Sequence, residues 1–251
     1  MGFEFGVFHE FQRRPGQTEA DAFTTAFEQV DAAERWGLDA IWLAEIHMAP
    51  ERSVCSVPMT IASAIAARTK NIKIGTGVQV LPLCQPLRLA EDAATVDHIS
   101  HGRLLFGVGR SGFPRAYEAY GIPYGESPER FAEVLEIVKR AWTQETFSFA
   151  GKFYNYENVC IVPKPSRKPH PPIRIAARSN AVRTSRCGSG CARDPDCVAA
   201  LACASRSFCR KSLTAWATAA CWFARMLCRM LTAAATRRTN TKAAAVASAA
   251  R

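Results

Sequence analysis

Two polar side chains stand close together after the second apolar stretch of the sequence. The segment WLAEIHMAP carries Glu45 and His47, and residues two apart in extended chain point to the same side. A carboxylate beside an imidazole can exchange a proton, so the pair predicts acid/base chemistry with His47 as the catalytic group. In the structural alternative, Glu45 anchors a neighbouring strand and His47 packs at the rim of the sheet.

A third polar side chain, Arg110, follows a run of glycines. Its guanidinium could form two charge-assisted hydrogen bonds to a phosphate, and the glycines would let that ligand approach. The letters from Gly107 to Gly112 also match the dinucleotide fingerprint G-x-G-x-x-G. We disfavour that interpretation, because Phe113-Pro114 should interrupt the helix the fingerprint needs, and the motif follows the fourth strand instead of the first.

The stretch from 71 to 110 contains the elements that must position these groups. Residues 72–81 predict a strand broken by Gly75 and Gly77, where we expect the backbone to bend or a ligand to approach closely. A helix follows, and the apolar run over 104–110 predicts a second strand. Nearly continuous apolar strands are buried on both faces, so this is a β-α-β unit of a parallel sheet whose strand ends face the ligand.

The rest of the first 177 residues continues the same pattern. Strands are predicted to start near positions 3, 40, 72 and 103, a repeat of about 35 residues that fits the strand-helix unit of a β/α barrel. Glycines and prolines between Gly112 and Gly125 predict a loop over the strand ends. We further predict helices over 18–37 and 57–68, a helix from Ser127, a hairpin turning at Gly151, and a fifth strand, IRIAA.

Composition changes abruptly near Arg178. Residues 1–177 hold 19 Lys+Arg and 20 Asp+Glu, whereas residues 178–251 hold 13 and 2. We therefore divide the chain into a barrel portion, 1–177, and a basic Ala/Arg/Cys-rich tail, 178–251, without recognisable fold. The composition of the tail favours a coding region translated out of frame. Its cysteines show neither C-x-x-C pairs nor accompanying histidines, which disfavours a zinc site, and a disulfide framework conflicts with a cytosolic first part.

The sequence predicts a cytoplasmic location. The N-terminus lacks the basic and apolar segments of a secretory signal, and the longest apolar-leaning run, 213–224, is too short to span a bilayer. With net +11, the tail could hold nucleic acid through phosphate contacts. Its scattered arginines and irregularly spaced aromatic residues nevertheless predict no nucleic-acid module. The paired histidines His98 and His101 are predicted to lie on the surface.

Three segments resemble one family in order and spacing. WLAEIHMAP, the stretch IGTGVQVLPLCQPLRLAEDAATVDHISHGRLLFGVGR and PPIRIAA are similar to the bacterial luciferase-like, flavin-dependent monooxygenases over residues 3–177. The resemblance implies an α/β fold of the (β/α)8 TIM-barrel type that uses reduced FMN. It also implies that Arg110 contacts the flavin phosphate, that Gly77-Val78 forms a non-prolyl cis peptide supporting the flavin ring, and that Ser179 is a further phosphate ligand.

One departure from the luciferases themselves lies directly before His47. Ile46 stands where luciferases carry the first of two histidines, and only His47 matches the second. The family resemblance therefore implies a two-component monooxygenase that takes reduced FMN from a separate NAD(P)H:flavin reductase and oxygenates a small organic substrate with O2. The oxygen chemistry belongs to the cofactor. A deazaflavin-dependent oxidoreductase of the same superfamily is the alternative that the sequence leaves open.

Stability and cofactor binding in a β/α barrel depend on closure of the sheet. The pattern stops after about strand five, and such a chain would leave strand edges unpaired and apolar interior exposed. We therefore predict an unstable product that binds FMN weakly or not at all. Two arrangements would cover the open edge: tail helices around 213–231, or a homodimer of half barrels. Arg110→Ala should weaken flavin binding by about 2–4 kcal/mol if the charged pair is buried.

Overall fold

Strands and helices alternate along residues 4–176, the part of the chain that the computed structural model describes. None of the helices in this part is long and apolar enough to cross a membrane. The elements are β1 (Gly6–His9), α1 (Glu19–Arg35), β2 (Ala40–Leu43), α2 (Pro58–Arg68), β3 (Lys73–Thr76), β4 (Gln79–Val80), α3 (Pro86–Ile99), β5 (Leu104–Gly109), α4 (Pro114–Ala119), α5 (Ser127–Thr143), β6 (Phe147–Ala150), β7 (Asn155–Val159) and β8 (Ile173–Ile175).

The strands of the main sheet are parallel, as predicted. The order across the sheet is β1, β2, β3 and β5, with β8 on the far side of β5, and β4 pairs with the end of β5. Because β4 continues the line of β3, the sheet occupies five successive positions of a β/α barrel. Within residues 4–176, the outer edges of β1 and β8 have no partner strand. The separate hairpin of β6 and β7 is antiparallel and turns around Gly151 as predicted.

One face of the sheet packs against the helices and forms the core. Phe106 of β5 meets the indole of Trp142 on α5 edge to face, with 5.1 Å between ring centroids. The indole N–H of Trp142 donates to the carbonyl of Ala90, 2.9 Å away, and so joins α5 to α3. The predicted apolar stripe of α5 is confirmed, because its members are all buried: Phe131, Val134, Leu135, Val138 and Trp142.

The predicted helix boundaries near the N-terminus are also confirmed. The Thr18 hydroxyl accepts a hydrogen bond from the N–H of Asp21, and the Asp21 carboxylate accepts from the N–H of Thr18, which is a complete capping box. Gly37 follows the end of α1 with a φ of 71°, a backbone conformation that favours glycine. The first strand is shorter than predicted and begins at Gly6.

The single strand predicted over 72–81 is instead two strands. A cis peptide bond between Gly77 and Val78 separates β3 from β4. At Gly75, where a backbone bend or a close ligand approach was expected, the strand β3 continues instead. A side chain there would overlap the indole of Trp42, which lies across the neighbouring strand. The glycine is required by packing between strands.

The glycines before Arg110 have the same function. A side-chain carbon at Gly109 would lie 2.6 Å from the side chain of Val78, and one at Gly107 would collide with the carbonyl of Thr76. The Thr76 hydroxyl donates to the Gly107 carbonyl (2.6 Å) and accepts from the Gly107 N–H (2.9 Å). Both glycines therefore fit β5 closely against β3 and β4, and the prediction that they admit a ligand beside Arg110 is wrong.

The loop predicted over 112–125 contains regular structure. Pro114 starts the six-residue helix α4, and a 3-10 turn covers Tyr124–Glu126. Proline fits the first turn of a helix, so it begins this element instead of interrupting it. The dinucleotide fingerprint is excluded for a different reason than we expected. Gly107 and Gly109 still belong to β5, so the motif does not form the tight turn that phosphate binding needs.

At the amino ends of the strands, two charged side chains hold the backbone. The Glu34 carboxylate accepts four hydrogen bonds of 2.9–3.0 Å from the loop over 70–72. Arg103 donates five hydrogen bonds of 2.8–3.0 Å, four of them to backbone carbonyls. Their acceptors include Ala66 and Thr69 at the end of α2, so Arg103 caps that helix. This end of the sheet is closed by polar contacts.

Several predictions fall outside the described residues. These are the phosphate ligand Ser179, the boundary near Arg178, the composition-based account of the tail, and the covering helices around 213–231. The predicted surface position of His98 and His101 is confirmed, because both side chains are exposed.

Candidate active site at the carboxyl ends of the strands

Glu45 lies just beyond β2 and its side chain is almost fully buried, with 3% exposed. One carboxylate oxygen accepts from the backbone N–H of Val80 (2.8 Å) and from the side-chain amide of Gln79 (2.5 Å). The other accepts from the ring of His47 (2.8 Å). Glu45 therefore anchors β4 and pairs with the imidazole at the same time. The structural anchor and the acid/base pair that the sequence suggested are both present.

His47 bridges this buried carboxylate and the surface. Because the Glu45 carboxylate accepts, Nε2 of His47 donates, and the other ring nitrogen, Nδ1, faces away from Glu45. The hydroxyl of Tyr120 lies 3.4 Å from Nδ1, and the two rings meet edge to face with centroids 5.3 Å apart. Tyr120 is 48% exposed. The three side chains form a chain of polar contacts from the surface to the buried Glu45.

Two cavities open on either side of this pair, and both are lined by Glu45 and His47. One, of about 230 Å³, faces the first turns of α2 and α3 and is also lined by Met59, Cys84 and Arg88. The other, of about 210 Å³, faces α4 and is also lined by Met48, Phe113 and Arg115. The acid/base pair thus lies where small ligands could reach it from two directions.

Arg110 follows the end of β5 and is exposed. Its guanidinium makes one long hydrogen bond, 3.3 Å, to the hydroxyl of Ser127 at the start of α5. Its backbone carbonyl accepts from the phenol of Tyr117. Burial raises the pKa of Tyr117 to about 12, so this phenol stays protonated and remains a donor. The backbone is fixed, while most guanidinium donors are available to an anion.

The Gly77-Val78 peptide is cis, as the family resemblance implies. The Val78 side chain lies against Gly109, the residue before Arg110. Val80, two residues further on, is the residue that Glu45 holds. The predicted site residues His47, Gly77, Val78 and Arg110 therefore lie on adjacent strand ends, whereas Ser179 is outside the described residues.

Other chemically active side chains nearby do not take part in such an arrangement. His9 at the end of β1 is buried, donates from Nε2 to Gln29 (2.7 Å) and accepts at Nδ1 from the N–H of Phe11 (3.0 Å). Burial lowers its pKa, so this histidine is a neutral structural group. Burial raises the pKa of the Cys55 thiol to about 12 and raises that of Cys84, which keeps both thiols protonated.

Sequence reasoning missed three residues of the site. Gln79 holds Glu45, Tyr120 contacts His47, and Arg115 lines the cavity beside α4. Gln79 could have been found from its place directly after the broken strand, since polar groups at that end face the ligand side. The other two were hidden because their segment was interpreted as a loop.

Comparisons with known proteins agree with the fold. Residues 3–185 match the model of the family described as luciferase-like monooxygenase. Among solved structures, the monooxygenase RslO1 from Streptomyces bottropensis superposes with a TM-score of 0.68 at 29% identity, covering 71% of this chain and 55% of that one. The barrel class predicted from the sequence is confirmed.

Curated relatives include more than one kind of cofactor dependence. The oxygenase component of the flavin-dependent trigonelline monooxygenase of Acinetobacter baylyi is 30% identical over 74% of this chain and 52% of its own length. The FMNH2-dependent dimethylsulfone monooxygenase of Pseudomonas putida is 34% identical over 50% and 35%. The F420-dependent glucose-6-phosphate dehydrogenase of Kineococcus radiotolerans is 30% identical over 63% and 48%. The chain spans about half the length of the first of these relatives and a smaller share of the other two.

Proposed function

Because the chain belongs to the luciferase-like monooxygenase family, whose members are enzymes, we propose that its strand ends bind reduced FMN for the monooxygenation of a small organic substrate. The observation that carries this proposal is the convergence of His47, Gly77-Val78 and Arg110 on adjacent strand ends. The chain covers about half of its relatives' length, so the activity of a whole enzyme is part of the proposal.

The side chains at this edge fit a flavin phosphate. Arg110 is exposed, its backbone is held by Tyr117, and its guanidinium has one long contact with the hydroxyl of Ser127. Guanidinium and hydroxyl groups are the donors that phosphate oxygens prefer. We propose that both hold the phosphate and that Gly77-Val78 lies against the flavin ring. Bound reduced FMN would supply the electrons that activate O2.

The acid/base pair would serve proton movement beside the ring. Glu45 fixes the Nε2–H of His47, so Nδ1 is the nitrogen at which we propose that a proton is taken up or released. Tyr120 lies on that nitrogen and connects it to solvent. Apolar residues of the two cavities, among them Met48, Met59 and Leu83, would keep water away from the reacting atoms.

The two-component arrangement extends the proposal to a partner. One relative is named as an oxygenase component and another as FMNH2-dependent, which supports a separate NAD(P)H:flavin reductase that delivers reduced FMN to this chain. We propose that O2 is the co-substrate. A second candidate function is a deazaflavin-dependent oxidoreductase, which the F420-dependent relative favours.

Anaerobic titration with both reduced cofactors tests the cofactor assignment. We expect reduced FMN to bind more tightly than reduced F420, with an affinity weaker than micromolar, because β1 and β8 each have an edge without a partner strand in the described part. Tighter binding of F420 would favour the second candidate. Failure of both cofactors to bind at millimolar concentration would overturn the proposed function.

A further inference from the structure

The cavity beside α4 contains one positive charge that no group in the described part neutralises. Arg115 lines this cavity, and within residues 4–176 its guanidinium has neither a hydrogen bond nor an ion pair. The other arginine there, Arg52, is paired with Glu10 and lies over the ring of Phe113, 5.8 Å from its centroid. Residues 177–251 contain only two acidic side chains. Of the two arginines that line the cavity, Arg115 is therefore the one without a partner among residues 4–176.

The walls between this charge and the interior are mostly apolar. Phe113 and Met48 line the cavity and are 56% and 43% exposed, so a bound molecule would cover apolar surface that now faces water. An aromatic ring and a flexible thioether pack well against a flat apolar body. Leu83 and Ala116 complete the apolar lining.

The inner end of the cavity carries the opposite charge. Glu45 lines this end, and its carboxylate accepts hydrogen bonds from the backbone N–H of Val80, the side-chain amide of Gln79 and the ring of His47. A negatively charged group on a ligand would be repelled from this end and attracted to Arg115 at the other. The two charges thus orient a ligand with one acidic end, and its uncharged end faces His47.

We propose that the cavity beside α4 binds a small organic carboxylate, with its carboxylate on Arg115 and its apolar body between Phe113 and Met48. This inference rests on the proposed function in that the ligand would be the substrate, presented to the flavin by its uncharged end. Arginine suits the site because its planar guanidinium binds both carboxylate oxygens at once.

Benzoate and benzamide are matched probes, because they share size and ring but differ in charge. Isothermal titration of the full chain should show benzoate binding about tenfold more tightly than benzamide. Arg115→Met should lower the affinity for benzoate by about tenfold and leave that for benzamide unchanged. The control Arg35→Met, at the exposed end of α1, should change neither. Arg115→Lys keeps the charge and should lose only part of the benzoate affinity.

Three results would overturn the assignment: equal binding of the two probes, full benzoate affinity in Arg115→Met, or no benzoate binding at millimolar concentration. Circular dichroism identifies a variant that does not fold, and Arg115→Lys then decides, since a carboxylate site requires that this variant keep part of the selectivity for benzoate over benzamide. Flavin titration of the same variants separates this inference from the proposed function. Absence of benzoate selectivity in the wild type, with intact FMN binding, refutes the carboxylate site alone, and absence of FMN binding in the wild type refutes the function.

Discussion

The two ends of the parallel sheet use charged residues in opposite ways. At the amino ends, Glu34 and Arg103 direct all their hydrogen bonds to neighbouring loops and helix ends. At the carboxyl ends, Arg110 makes one long hydrogen bond, and Arg115 makes neither a hydrogen bond nor an ion pair in the described part of the chain. The difference separates stability from ligand binding within one sheet, as expected for a barrel whose loops after the strands carry function.

The largest effect on stability should come from a change at the amino ends of the strands. Arg103→Met removes five hydrogen bonds and leaves several backbone carbonyls without a donor, so we expect the free energy of unfolding to fall by about 3 kcal/mol. Urea unfolding followed by tryptophan fluorescence measures it. Arg88→Met, at an exposed arginine of α3, is the control and should cost less than about 0.5 kcal/mol. Equal costs for the two variants would remove the distinction between the ends.

Glu45 lies at the carboxyl ends of the strands but should contribute to stability, because it holds β4. Glu45→Ala leaves the N–H of Val80 without an acceptor and the amide of Gln79 with only the weak acceptor Sγ of Cys84, so we expect a loss of about 2 kcal/mol in the free energy of unfolding. His47→Ala should cost less than about 1 kcal/mol, since it removes one hydrogen bond from a carboxylate with two further donors. The same urea experiment compares them, and a larger cost for His47→Ala would contradict the anchoring function of Glu45.

The smallest effect concerns His9, the histidine with a structural function. Burial lowers its pKa in the folded chain below the ordinary value of 6.5, whereas in the unfolded chain it titrates near that value. As pH falls through about 6.5, the unfolded state binds more protons and the stability of the fold decreases. We expect the melting temperature to decrease from pH 7.5 to about 5.5. His9→Gln should flatten this dependence, and an unchanged slope would argue against a buried neutral imidazole.

Elements with strong periodicity could be predicted from the sequence. The apolar stripe of α5 repeats at helical spacing, and the continuous apolar run of β5 matches the burial of this strand on both faces. The candidates His47 and Arg110 followed from the position of polar residues after apolar strands. In each case a local pattern was sufficient for the prediction, because neighbouring residues determine which faces of an element are buried.

The remaining features depend on contacts between segments far apart in the sequence. Gly107 and Gly109 are glycines because β3 and β4 approach them, which no local pattern reveals. Tyr120 meets His47 across 73 residues of sequence. The helix α4 was missed because Pro114 resembles a breaker until Ala116 and Tyr117 are seen to be buried.

Arg110 is proposed to bind the phosphate of a flavin, and a comparison of FMN with riboflavin tests this assignment most directly. The two reduced flavins share the ring and differ in the phosphate. Because Arg110 is exposed in the described part, we expect an effect at the low end of the range for a buried pair, about 2 kcal/mol. Under anaerobic titration, the wild-type chain should bind FMN about thirtyfold more tightly than riboflavin.

Arg110→Ala should lose most of the preference for FMN, keeping only the part that the Ser127 hydroxyl supplies, and should retain the riboflavin affinity of the wild type. Arg115→Met, the matched control at the same end of the sheet, should keep the preference for FMN. A preference for FMN that is undiminished in Arg110→Ala, or that is absent from the wild type, would contradict the assignment of the phosphate site.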